Sequence, residues 1–129
     1  MSITAQFNRG YVKTATAKVT KANNGANNAI RIKLPLGSHL VGVACGSVTA
    51  FDGSGTVTAT ATDGTNTFIS AEDVKNTVGN ETVDVTAKAF ANGTTIDCYV
   101  TDQNSDSTLG EVWMTFFYAE VNANNENYG

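Results

Sequence analysis

Between Glu111 and Val121 the chain reads EVWMTFFYAEV, and its side chains sort by twos. Val112, Met114, Phe116 and Tyr118 share one parity; Trp113, Thr115, Phe117, Ala119 and Val121 share the other. Neighbouring side chains on a strand point to opposite faces, so this rhythm predicts a β-strand. With apolar residues on both parities, the strand belongs in the middle of a sheet or beneath a neighbouring subunit. The same period recurs along the chain. Ile30, Ile32 and Leu34 alternate with Arg31 and Lys33 until Pro35 forces a bend, and TVTATAT ends at an Asp63-Gly64 turn. His39–Ala50 is a longer apolar run, with Gly42 and Gly46 as points for a bulge or close approach.

Two further expectations are local. TVDVTAKAF and TTIDCYV alternate on either side of Asn92-Gly93, the dipeptide favoured in type I′ turns, which predicts a hairpin over Thr82–Thr101. SAEDVK predicts the one short helical turn. There Ser70 caps, Asp73 sits three residues on, and Ile69 and Val74 are spaced as a hydrophobic staple.

Charged residues make up 16% of the chain, well under the roughly 25% of an average soluble domain, and Thr, Ala, Asn, Val and Gly fill the space. Few of these favour helix, and many favour strands and turns. The expected fold class is therefore all-β, a single-domain antiparallel β-sandwich or jelly roll of about seven or eight strands. At 129 residues the chain is long enough to bury roughly two-thirds of its unfolded surface as one domain. Its expected organisation is an N-terminal arm over 1–10, a β-domain over 11–121 and a polar tail over 122–129. Tyr11–Thr20, with lysines on both parities, reads as an edge strand.

Charge is sorted along the chain. All six cations before Asp52 (Arg9, Lys13, Lys18, Lys21, Arg31 and Lys33) stand without a single carboxylate, and all twelve acids follow against only Lys75 and Lys88. Such a distribution speaks to association and steering, and predicts a subunit whose basic end meets an acidic neighbour. Ile3, Phe7, Arg9, Tyr11, Lys13, Lys18 and Lys33 are the candidate protein-interface residues. An overall acidic balance, with a pI near 4.7, works against nucleic acid as the partner.

No constellation points to catalysis. His39 is the only histidine and has no nucleophile elbow beside it. Nothing singles out two of the twelve acids as a hydrolytic pair. Cys45 and Cys98, 53 positions apart, fit neither a zinc nor a redox spacing; they read as buried free thiols, with a disulfide as the alternative. Asp102, Asn104 and Asp106 share the oxygen spacing of a calcium loop, but Ser107 stands in place of its glycine and Trp113 in place of its glutamate. That segment reads as a solvated turn, with a weak calcium site as the alternative. No cofactor and no small-molecule substrate is expected. No apolar run has the length of a signal-peptide core or a membrane span, so synthesis in a cytoplasm is expected and no membrane partner.

The stretches GSVTAFDGSGTVTATATDGTNTF and AKAFANGTTIDCYVTD, in a Thr/Ala/Asn/Gly-rich, cysteine-poor chain with an arm at each end, resemble accessory structural proteins of tailed bacteriophages. The nearest type is a head decoration or cementing protein. The resemblance implies a jelly-roll or similar β-domain, often a homotrimer, that binds the major capsid protein lattice on the virion surface and stabilises the head. A tail or fibre module, or another carbohydrate-binding sandwich, is the alternative, with Trp113, Phe116, Phe117 and Tyr118 as its aromatic candidates.

Overall fold

The structure is a computed structural model that describes residues 12–75, 78, 81–84, 88–90 and 93–120. The expected arm and tail, with Ile3, Phe7, Arg9 and Tyr11, lie outside the described residues. Among the described residues, nine strand segments run in chain order: β1 Val12–Thr20, β2 Ile30–Leu34, β3 Ser38–Thr49, β4 Val57–Thr62, β5 Thr67–Asp73, β6 Glu81–Asp84, β7 Lys88–Phe90, β8 Thr94–Asp102 and β9 Glu111–Glu120. They form two antiparallel sheets, one ordered β1-β9-β3-β6 with β7 also on β3, the other β2-β8-β4-β5. Among the described residues the helical content is a single 3-10 turn, Ala26–Asn28.

The pairing has a simple logic. β4 pairs with β5, β3 with β6 and β7, β2 with β8, and β1 with β9. The chain is in effect one long hairpin, with its tip at Asp63-Gly64, rolled into two facing sheets. That is the jelly-roll member of the sandwich class. Contacts of β1 with β2, and of β5 with β6, bring the sheet edges together in pairs, so the sandwich has a β1/β2 flank and a β5/β6 flank.

The alternation read in the sequence becomes the core. Val57, Ala59 and Ala61 of β4, Ile96, Cys98 and Val100 of β8, and Val112, Met114 and Phe116 of β9 are all buried. Phe51, Leu40, Val43 and Val19 pack with them. β9 lies between β1 and β3, the central place its two apolar parities predict. Cys45 and Cys98 are buried free thiols. Burial in apolar surroundings pushes their titration up to about 11 and about 12.

Two local expectations are overturned. Ser70–Asp73 belongs to β5 rather than to a helical turn. β4 steps two residues from Ala59 to Ala61 while β5 steps three from Glu72 to Ile69, so β5 carries an extra residue, and Ala71 sits at φ 47 there. One isolated helical turn is marginal on its own. Pairing as a bulged strand instead places Phe68, Ile69 and Val74 in the core. Nor does Asn92-Gly93 close a hairpin, because β7 pairs with β3 while β8 pairs with β2 and β4 in the other sheet. The Gly93 N–H donates to the Phe90 carbonyl at 3.1 Å, where the chain passes from one sheet to the other; Asn92 itself lies outside the described residues.

Candidate interaction surface

Rolling the hairpin decides what becomes of the basic N-terminal third. Because β1 lies on β9 and β2 on β8, residues from the carboxylate-free segment meet residues from the acidic one. Lys13 Nζ is 3.1 Å from Glu120 Oε1, two positions along from its register partner Tyr118. Arg31 Nε is 3.2 Å from Asp97 Oδ1, directly opposite in register. Both pairs are exposed, so each contributes little to stability. They nonetheless show that part of the sorted charge is used within the chain.

Lys18, Lys21 and Lys33 are exposed, and no carboxylate lies within ion-pair distance of them among the described residues. Lys18 stands opposite Trp113, its Nζ 4.6 Å from the ring centroid, a cation–π contact. The Trp113 indole N–H donates to the Glu111 carboxylate. Lys33 points outward from β2 and Lys21 from the turn after β1. Of the expected interface residues, Lys13 and Lys18 lie on β1 and Lys33 on β2, the edge strands of the two sheets. The Lys18–Trp113–Glu111 contact was invisible in the sequence, because its signal is the β1–β9 register.

On the outer face of β9, Trp113, Thr115 and Phe117 line up, whereas Phe116 is buried and Tyr118 packs against the core. Beside Trp113, which is 40% exposed, a shallow hollow of about 300 Å³ is lined by Ala44, Gly46, Val48 and Thr115 among others. Small residues on β3 create it. The four aromatics thus do not form one exposed stripe, as the alternation requires.

One end of the sandwich is held by carboxylates. Asp52 accepts from the Thr108 N–H at 2.7 Å, the Thr108 hydroxyl at 2.5 Å and the Leu109 N–H at 3.0 Å. Those bonds, the Thr108 hydroxyl's first, hold its carboxyl down at about 2. Asp106 accepts from the Ser54 N–H at 3.0 Å and its hydroxyl at 2.6 Å, which lowers its titration too. At the hairpin tip, burial pulls Asp63 upward, but donors from Asn66, Thr65 and Thr94 outweigh it and leave it below the usual range. Asp102 Oδ2 accepts from the Ser107 N–H, and Asn104 donates to the Ser54 hydroxyl. The calcium-like spacing is used here to tie 102–108 to 52–56. Among the described residues no three His, Cys, Asp or Glu side chains gather to cage a metal.

No protein-family model matches the chain, and no curated protein matches it. Among solved structures it is similar to a chain of the acid-stable capsid of Helicobacter pylori bacteriophage KHP30, with 15% identity and a TM-score of 0.62 over 86% of this chain and 89% of that one. At that identity the likeness establishes a shared fold. A chain of the disulfide-linked endospore appendages of Bacillus aligns at 18% identity, over 86% of this chain and 92% of that one, but with a TM-score of 0.27, too low for a common architecture.

Proposed function

We propose that this protein is a non-enzymatic virion structural protein, a capsid decoration or cementing subunit that binds the major capsid protein lattice and stabilises the head. The observation that carries the reading is the likeness to a phage capsid chain over nearly the full length of both. In this reading the protein is made in the host cytoplasm and ends on the capsid surface as a homo-oligomer, a trimer by preference. The segment around Ile3, Phe7, Arg9 and Tyr11, the arm of residues 1–10 and the residue that follows it, docks on a neighbour, with the apolar side chains as anchors and Arg9 setting register. Each anchor contributes about 1.5–3 kcal/mol when fully covered. Lys18 and Lys33 supply the remaining basic contacts, while Lys13 is already engaged by Glu120. Repetition over many lattice sites multiplies modest individual affinities.

The test is to add purified protein to heads that lack it. Saturable, stoichiometric binding is expected, together with heads that survive more heating. Deleting residues 1–10 should abolish binding and leave the β-sheet circular dichroism intact. Full-length protein that leaves the heads bare would reject the reading, and undiminished binding by the truncated form would reject the arm. A saccharide-binding module remains the rival because Trp113 is exposed beside a hollow. Sugar stacking needs a bare ring face, and Lys18 lies over one face of this indole. A glycan-array hit lost in Trp113→Ala would favour that rival.

A further inference from the structure

β8 buries every second residue, Ile96, Cys98 and Val100, and the next place in that row is taken by a carboxylate, Asp102. Only 7% of Asp102 is exposed. One of its oxygens, Oδ2, accepts from the Ser107 N–H at 2.9 Å. The other, Oδ1, is buried with no hydrogen-bond partner, and so is the Ser107 hydroxyl oxygen. Both face the same place. A Cβ added to Gly53 would lie 2.8 Å from Ser107 Oγ, 2.9 Å from Asp102 Oδ1 and 3.1 Å from Asp106 Oδ1. Three side-chain oxygens thus converge over the Gly53 backbone, where any other residue would put a carbon.

A buried carboxylate oxygen is costly when nothing answers its charge, and buried polar atoms are otherwise almost always paired. Donors of these loops are engaged elsewhere. The Ser54 N–H and hydroxyl serve Asp106, those of Thr108 serve Asp52, and the Asn104 amide serves the Ser54 hydroxyl. The Lys75 ammonium lies 3.3 Å from the Ser54 carbonyl. We infer that Asp102 Oδ1, Asp106 Oδ1 and Ser107 Oγ bind a calcium ion over Gly53. The set is all oxygen and includes two carboxylates, the chemistry that suits a hard cation rather than a transition metal. Asp106 Oδ1 already accepts from the Ser54 N–H, but a carboxylate oxygen has a second lone pair to offer. Calcium tolerates ligand positions fixed by a fold, whereas magnesium demands a near-ideal octahedron. Asn104, in the middle of the calcium-like spacing, is not a ligand; Ser107, outside that spacing, takes its place. Bound there, the ion clamps the end of β8 to the loop before β4. This needs neither a capsid nor a second copy, so it stands apart from the subunit reading.

The experiment is calcium titration of the full chain after treatment with a chelator, read by calorimetry and by melting temperature. One calcium per chain is expected, with a Kd of about 0.1–1 mM and magnesium at least about tenfold weaker. Ser107→Ala should weaken calcium binding at least about fivefold, and Asp102→Asn should abolish it. Without calcium, Asp102→Asn should melt at or above wild type, because the amide removes a buried charge and donates towards Ser107 Oγ. With saturating calcium the order should reverse. A carboxylate that only ties the loop would make Asp102→Asn melt lower by the same margin with and without calcium, which overturns the inference. So does a wild type that shows neither heat nor a change in melting up to about 10 mM calcium. Binding that survives both substitutions places the ion elsewhere and overturns it too. Should Asp102→Asn fail to fold, Ser107→Ala decides, since it keeps both carboxylates and the Ser107 N–H.

Discussion

The space between the sheets and the loop end around Asp52 are held together by different physics. Between the sheets, Phe116, Met114, Val112, Leu40 and Ile96 are stripped of water and have no directional partner. Their contribution scales with buried apolar area and tolerates small shifts. At the loop end, the 52–56 and 102–109 segments meet through side-chain bonds spanning 47 to 57 positions, most ending on a carboxylate or an amide. Such bonds are directional, exposed and sensitive to protonation. The core is robust to chemistry and intolerant of lost volume; the loop end is the reverse.

Phe116→Ala should give the largest effect. A fully buried phenyl at the centre of β9 leaves both a transfer loss and a cavity, about 3–5 kcal/mol together. Against a domain stability of about 5–15 kcal/mol, the variant should unfold at far lower urea. A loss below about 1 kcal/mol would mean that β9 is not the centre of the core.

Gly110→Ala tests where the two regions join. Gly110 holds φ at +148, and a Cβ there would come within 2.3 Å of the Phe51 ring. Strain and overpacking together should cost about 2–4 kcal/mol. Phe51→Ala should relieve much of this, so the double variant should be less destabilised than the sum of the singles. Additive losses would show that the loop end and the core are energetically separate.

The core was the legible part of the fold, because burial in a sandwich repeats every second residue and leaves its mark on β2, β4, β8 and β9 one strand at a time. The two misread segments have one cause. SAEDVK satisfies a helix start locally, and Asn92-Gly93 satisfies a turn locally, but pairing with β4 decides the first and sheet membership the second. Asp52 shows no pattern with Thr108 and Leu109 until the roll brings them together. The candidate surface divides the same way. The charge of Lys13, Lys18 and Lys33 could be counted from the sequence. That Glu120 engages the first, and that Trp113 lies beneath the second, follows only from the β1–β9 register.

Asp52→Asn should produce a smaller, pH-dependent change. The folded carboxyl titrates at about 2, below the roughly 3.9 of an unfolded aspartate. A lowered folded value means its contribution is fully present above about pH 4 and is lost as pH falls towards 2. At pH 7 the variant should melt below wild type, and the two melting curves should converge between about pH 4 and about 2. Amide exchange at Thr108 and Leu109 should speed up in the variant at neutral pH. A gap that stays constant over that range would mean that the charge on Asp52 is not what holds the loop.

Cys45 and Cys98 supply a probe of the core that leaves its stability unaltered. Both thiols are buried, and at pH 8 one that titrates at about 11 is thiolate only about one part in a thousand. Reaction with a disulfide reagent should therefore wait for opening of the sandwich, and added reductant should not shift the wild-type melting curve. Labelling that follows opening tracks the population of the open state. Phe116→Ala should then raise the rate about a hundredfold or more, whereas Asp52→Asn, which frees only the loop end, should leave it within about twofold. Fast labelling in Asp52→Asn would show that loosening the loops opens the inter-sheet space, and that the boundary drawn between the two regions at Gly110 is not a real one.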